Sequence, residues 1–329
     1  MMGPTPEKRP NGAALGLRKG TEMDVTLHLG AHRCATTTFQ YYLRHNADRL
    51  GKRNIGFWGP LRTRKGLFSG IQPGAISAPG KDAAKRGAGR VRLACARSEA
   101  AGVAHLLVSD ENMLGTMREN LRAGDLYAGA GERIARFCQA FDGRVHQVVL
   151  NIRSLDLFWA SGLGFALTRG YGLPRPALLS RLADNPRSWR DVITDIACAA
   201  GDVPVNVLPF ETYAGRPDAQ LKAICHAPAP SEHARIWLNA TPPLPELRDH
   251  VDARIGAQLP NVTGRWMPFD RYQVAALRER YADDIMWLTA GADGLAKLVG
   301  DTQSTRVVNR PGPDMTEGST HDHERRRMA

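Results

Sequence analysis

Residues 24 to 40 read DVTLHLGAHRCATTTFQ, and this stretch decides how the rest of the chain is read. Val25, Leu27 and Leu29 mark a buried strand, and Thr36, Thr37 and Thr38 open a helix. The six residues between them, Gly30, Ala31, His32, Arg33, Cys34 and Ala35, are mostly small and permit a tight return of the chain. Such a return aims the backbone N–H groups at the helix start towards one point, which is a place for an anion. The threonines add hydroxyl donors there, and Arg33 adds a fixed positive charge.

The commoner phosphate loop, GxxxxGK[ST], does not fit. Counted from Gly30, Ala35 stands at the second glycine and Thr36 at the lysine that reaches the β- and γ-phosphates. The string instead resembles the 5′-phosphosulfate loop of sulfotransferases, roughly H-x-G-x-x-K-[TS]-G-T-T-[SA]-L-Q. His28, Gly30, Thr36, Thr37 and Gln40 match as written; Arg33 replaces the lysine, Cys34 a hydroxyl residue and Ala35 a glycine. An ordinary strand-to-helix turn is the less favoured alternative for this stretch by itself.

A second motif follows the apolar run VHQVVLN at 145–151, where Arg153 is followed eight positions later by Ser161. An arginine fork and a serine two turns along a helix can close on a dianionic phosphate lying over the helix start. In sulfotransferases an arginine and a serine with this spacing hold the 3′-phosphate of 3′-phosphoadenosine 5′-phosphosulfate, so the resemblance assigns that role to Arg153 and Ser161. It also implies that residues 30–38 (Gly30, Ala31, His32, Arg33, Cys34, Ala35, Thr36, Thr37, Thr38) cradle the 5′-phosphosulfate.

A third segment, AHLLV at 104–108, delivers Ser109, Asp110, Glu111 and Asn112 to a strand end, the edge where open parallel sheets bind ligands. Transfer to a hydroxyl needs a group that accepts its proton. Carbohydrate-directed sulfotransferases commonly place a glutamate at such a strand end. That makes Glu111 the first candidate, Asp110 the second and His32 a rival inside the loop. Ser109 or Asp110 as the N-cap of a helix over 113–121 is the structural alternative. Arg33 is assigned charge stabilisation of the leaving oxygen, because a guanidinium is a poor acid. No metal is expected.

The chain has 329 residues and a formal net charge of +11, which suits an anionic partner. Between Arg62 and Arg97 nine basic residues face a single acid, Asp82. Three readings stay open for this Gly- and Pro-containing segment: a rim selecting an acidic glycan acceptor, a solvated, partly disordered stretch, or, least favoured, a nucleic-acid surface. The five cysteines, Cys34, Cys95, Cys138, Cys198 and Cys225, show no paired spacing, as expected of a reducing compartment. Cys34, beside Arg33 at a helix start, is expected to favour its thiolate. No run approaches the roughly 20 apolar residues of a membrane span, so a cytoplasmic, bacterial-type protein is expected.

Strands alternating with helices imply an α/β chain, a three-layer α/β/α arrangement around a central parallel sheet. The resemblance narrows this to the P-loop-NTPase-like sulfotransferase fold. Residues 1–21 and 301–329 are read as disordered tails around a domain at 22–300, closed by a helix from about 271 to 298. Tryptophan after the paired threonines and a basic glycine-rich loop near the C-terminus, both found in small-molecule sulfotransferases, are missing. Arg265 either substitutes for the latter or is a surface residue. A kinase with a degenerate loop and a non-catalytic binder of acidic polymer are the alternatives; the acceptor and the oligomeric state are not legible.

Overall fold

The computed structural model describes residues 23–72 and 80–300. Six strands form one sheet, β1 (Asp24–His28), β2 (Ile55–Trp58), β3 (His105–Ser109), β4 (Val145–Ile152), β5 (Val205–Pro209) and β6 (Lys297–Leu298), in the order β2-β3-β1-β4-β5-β6. Every pairing is parallel. Parallel neighbours need crossover connections, and these coat both faces with helices, which explains why the central strands are buried on both sides.

Alternation along each strand divides the core in two. Val25 and Leu27 of β1, Leu106 and Val108 of β3, and Val148 and Leu150 of β4 share the larger core. Leu107 and Val149 point the other way, into a smaller core with Phe39, Tyr42 and Leu43 of α1 (Thr36–His45). The result is a three-layer α/β/α domain.

β1, β3 and β4 are legible in the sequence, as is β5 in the apolar run at 203–208; β2 and β6 are not. β2 is only four residues, IGFW, hidden between Asn54 and Gly59, and β6 is two residues at the sheet edge. Two expectations are corrected. The closing helix runs only from Arg271 to Thr289, because Gly291 at φ 101° turns the chain towards β6. Much of the basic segment is a regular helix, Lys81–Ala100, whose Val91, Ala94 and Cys95 pack into the larger core. The expected tails at 1–21 and 301–329 lie outside the described residues.

Register sets the site. His28 pairs with Ser109 on one side and Val149 on the other, so β1, β3 and β4 end at one edge. The segments at Gly30, Asp110 and Arg153 therefore emerge side by side.

Candidate functional site

The loop after β1 is tied down from several directions. Gly30 has φ 37°, and a Cβ there would meet His28 Cε1 at 2.7 Å and Thr36 Oγ1 at 2.8 Å, so no other residue fits. Arg33 and Ala35 take φ 63° and 60°, left-handed values that cost an L-residue roughly 1–2 kcal/mol each. Ala35 is the N-cap of α1 and supplies no side-chain cap. Among the described residues the first-turn N–H groups of that helix have no intrahelical or side-chain acceptor.

The three threonines divide their work in a way the sequence does not reveal. Thr36 donates to the carbonyls of Gly30 (2.8 Å) and Ala31 (3.2 Å) and closes the loop on itself. Thr37 accepts from Asn239 Nδ2, and Thr38 accepts from the Leu238 backbone N–H at 3.0 Å. Ala31 and Cys34 are buried loop members. For Cys34 the expected thiolate is corrected: burial pushes the thiol up to about 12, and Arg153 and Arg33 do not offset it.

His32 joins the loop to two other segments. Its backbone N–H donates to the Tyr127 hydroxyl at 3.0 Å, and that hydroxyl lies 2.9 Å from Nδ1. Nε2 lies 3.2 Å from Asn112 Oδ1. Because Asn112 Oδ1 only accepts, Nε2 carries the hydrogen and Nδ1 takes the Tyr127 proton. Burial lowers the pKa of His32, which favours this neutral form. Both ring nitrogens are then in use, an arrangement suited to positioning.

On the β3 side the charges are paired. Asp110, fully buried, accepts from Thr63 Oγ1, from Arg64 Nη2 at 2.7 Å and from the Asn112 N–H. It braces the turn Glu111–Met113 as its N-cap, and not the helix over 113–121 that the structural alternative had it start. The helix that follows begins later than expected, at Met117 behind a Thr116–Glu119 capping box. Glu111 Oε1 accepts from Arg64 Nη2 at 2.9 Å and Oε2 from Gln40 Nε2 at 3.0 Å. Burial raises the Glu111 pKa and the fixed charge of Arg64, hydrogen-bonded to it, lowers it; on balance the carboxyl lies below its ordinary value.

On the β4 side they are not. Arg153 is 4% exposed, lies over the Phe210 ring at 4.1 Å and donates from Nη1 to the Arg33 carbonyl at 2.8 Å. Its Nε is buried without a hydrogen-bond partner. Arg33 donates from Nε to Ser161 Oγ at 2.9 Å and from Nη2 to the Asn239 carbonyl and Thr241 Oγ1. Every acceptor on Arg33 is neutral. The nearby acids are engaged elsewhere, Glu211 with the Ser154 N–H and Tyr281 and Asp156 with Ser154 and Arg278. Burial, with the charge of Arg153 beside it, pulls Arg33 down to about 10, and Arg153 is lowered by burial and by Arg265. Arg265, on an exposed turn, therefore adds its field to the same place.

The structure brings together the loop, Glu111, His32, Arg33, Arg153 and Ser161. Sequence reasoning missed Arg64, Tyr127 and the 237–241 segment. Arg64 was visible only as one cation in a basic run, and Thr241 stands 208 positions from Arg33 with no motif around it. No described helix is long and apolar enough to cross a membrane. Comparison of the chain with protein-family models, with curated proteins and with solved structures finds no match.

Proposed function

We propose that this protein is a sulfotransferase that moves a sulfuryl group from 3′-phosphoadenosine 5′-phosphosulfate to a hydroxyl of a carbohydrate or other polar acceptor. The observation that carries the reading is the pair of arginines, half-buried Arg33 and buried Arg153, which make no ion pair among the described residues and converge with Ser161 beside an uncapped helix start. Two guanidiniums held together repel one another, and a multiply charged anion is what relieves them. The unpartnered Nε of Arg153 is one donor such an anion would satisfy.

The chemistry assigned to the residues follows from their surroundings. Arg153 and Ser161 hold the 3′-phosphate, and the N–H groups at the start of α1 hold the 5′-phosphosulfate. Glu111, kept ionised by Arg64, accepts the proton of the acceptor hydroxyl as its oxygen bonds to sulfur. The sulfur–oxygen bond to the phosphate breaks in the same displacement, and its electron pair stays on the phosphate oxygen. Arg33 and the helix start offset that charge. A nucleotide rather than a simple anion is favoured by Phe210 and the 43% exposed Trp237, whose rings meet edge to face at 6.5 Å next to Arg153.

Calorimetric titration with 3′-phosphoadenosine 5′-phosphate tests the proposal, with ATP and adenosine 5′-phosphate as controls. Tight binding that needs the 3′-phosphate and is lost in Arg153→Ala is expected. Equal affinity for all three nucleotides overturns it, and preference for ATP with hydrolysis would favour a kinase.

A further inference from the structure

The segment from Trp237 to Thr241 has no regular secondary structure, yet it is fastened across the loop by Thr37, Thr38 and Arg33. Its last residue meets the Leu155–Leu167 helix. Thr241 Oγ1 lies 2.6 Å from Ser161 Oγ and accepts from Arg33 Nη2 at 3.0 Å. Gly164, one turn beyond Ser161, makes the approach feasible, because a Cβ there would come within 3.0 Å of Thr241 Cγ2.

Counting hydrogens at this contact gives an unexpected remainder. Ser161 Oγ accepts from Arg33 Nε and Thr241 Oγ1 accepts from Arg33 Nη2, so the guanidinium supplies a donor to each oxygen. Only one of the two hydroxyl hydrogens can lie between the oxygens. The other has no acceptor among the described residues and sits against a fixed positive charge. Arg153, held to the same loop residue through the Arg33 carbonyl, also has a donor with no acceptor, its buried Nε. Surplus donors and two cations that hydrogen-bond no carboxylate among the described residues define a site suited to an acceptor-rich anion.

We propose that Thr241 is a binding residue of this anion site, acting with Ser161 as a two-hydroxyl unit that gives its spare hydrogen to a phosphate-type group held by Arg33 and Arg153. The proposal deepens the sulfotransferase reading, on which the identification of that group as a nucleotide 3′-phosphate rests. The hydroxyl pair makes the site depend on a segment remote in sequence, so the grip on the anion includes the strap that covers the loop.

Thr241→Val keeps the methyl packing on Gly164 and removes the hydroxyl, and Thr241→Ser restores it. Titration with 3′-phosphoadenosine 5′-phosphate and with adenosine 5′-phosphate should show about a tenfold loss for the first ligand in Thr241→Val. Affinity for the second should be unchanged, and Thr241→Ser should recover the first to within about twofold to threefold of wild type. An equal loss for both ligands, or no loss, overturns the proposal. If wild-type protein shows no preference for the 3′-phosphate, the sulfotransferase reading fails and inorganic pyrophosphate becomes the probe. Thermal stabilisation by pyrophosphate that falls in Thr241→Val and returns in Thr241→Ser then supports the hydroxyl pair by itself. Stabilisation that is absent in wild type or identical in all three proteins overturns it.

Discussion

On the β3 side of the loop, Asp110 and Glu111 share Arg64, and each charge has a partner within hydrogen-bond distance. On the β4 side, Arg33 and Arg153 sit together and bond only to neutral oxygens. The two regions are built on the same sheet edge, yet one is electrostatically closed and the other open. A closed group stabilises the fold and fixes the carboxylate it holds. An open pair of like charges costs stability, and on the proposed reading anion binding would recover it. The difference marks Asp110 as framework and, on the reading proposed above, the arginine pair as the part that would meet an anion.

Several substitutions would break or sharpen this contrast. The largest effect is expected for Glu111→Gln, which keeps the contact with Arg64 but cannot take a proton. Sulfuryl transfer should fall by roughly 100-fold to 10,000-fold while nucleotide affinity is kept, as judged by transfer assay beside calorimetry. Because Glu111 is held below its ordinary carboxyl pKa, the acid limb of the wild-type rate profile should lie below pH 4.5, and a limb near neutrality would point to another base.

Next is Arg153→Met, the apolar isostere on the open side. The empty protein should gain or keep thermal stability, while the affinity for a 3′-phosphate falls roughly tenfold to a hundredfold. A fall in stability would mean that Arg153 is structural.

On the closed side, Asp110→Asn should do the opposite. Loss of about 2–3 kcal/mol is expected in denaturant titration, less than for a fully buried pair because Arg64 is partly exposed and can turn to water. A stability equal to wild type would remove Asp110 from the framework.

His28 offers a comparable test through pH. Burial lowers its pKa from 6.5 to about 4, with Asn151 and Glu111 opposing. The unfolded chain therefore binds the proton first as pH falls. The stability contributed by the neutral ring is complete above about 6.5 and is lost as pH drops towards about 4, on the order of 3 kcal/mol in all. Urea midpoints measured across that window should fall, and the slope should be shallower in His28→Gln. The smallest effect concerns Cys34. With its thiol near 12 and 2% exposed, it should resist alkylation under native conditions while exposed Cys198 reacts.

The sequence by itself determined the parallel α/β layering, the tight loop between β1 and α1 and the order of the strand ends. These follow from local pattern: apolar runs too short for helices, a glycine where only glycine fits, and hydroxyls at a helix start. It did not determine β2 or β6, which are short edge strands specified by their neighbours rather than by their own four and two residues. Nor did it give the length of the last helix or the state of Cys34, where burial defeats the charge beside it. Above all, adjacency across the sheet edge was hidden. Arg64 reaches Glu111 across 47 positions, Tyr127 reaches His32 across 95, and Thr241 reaches Ser161 across 80. Hydrogen bonds of that kind depend on which loops the strand register places side by side, and only the tertiary structure decides which charges find a charged partner and which meet neutral oxygens.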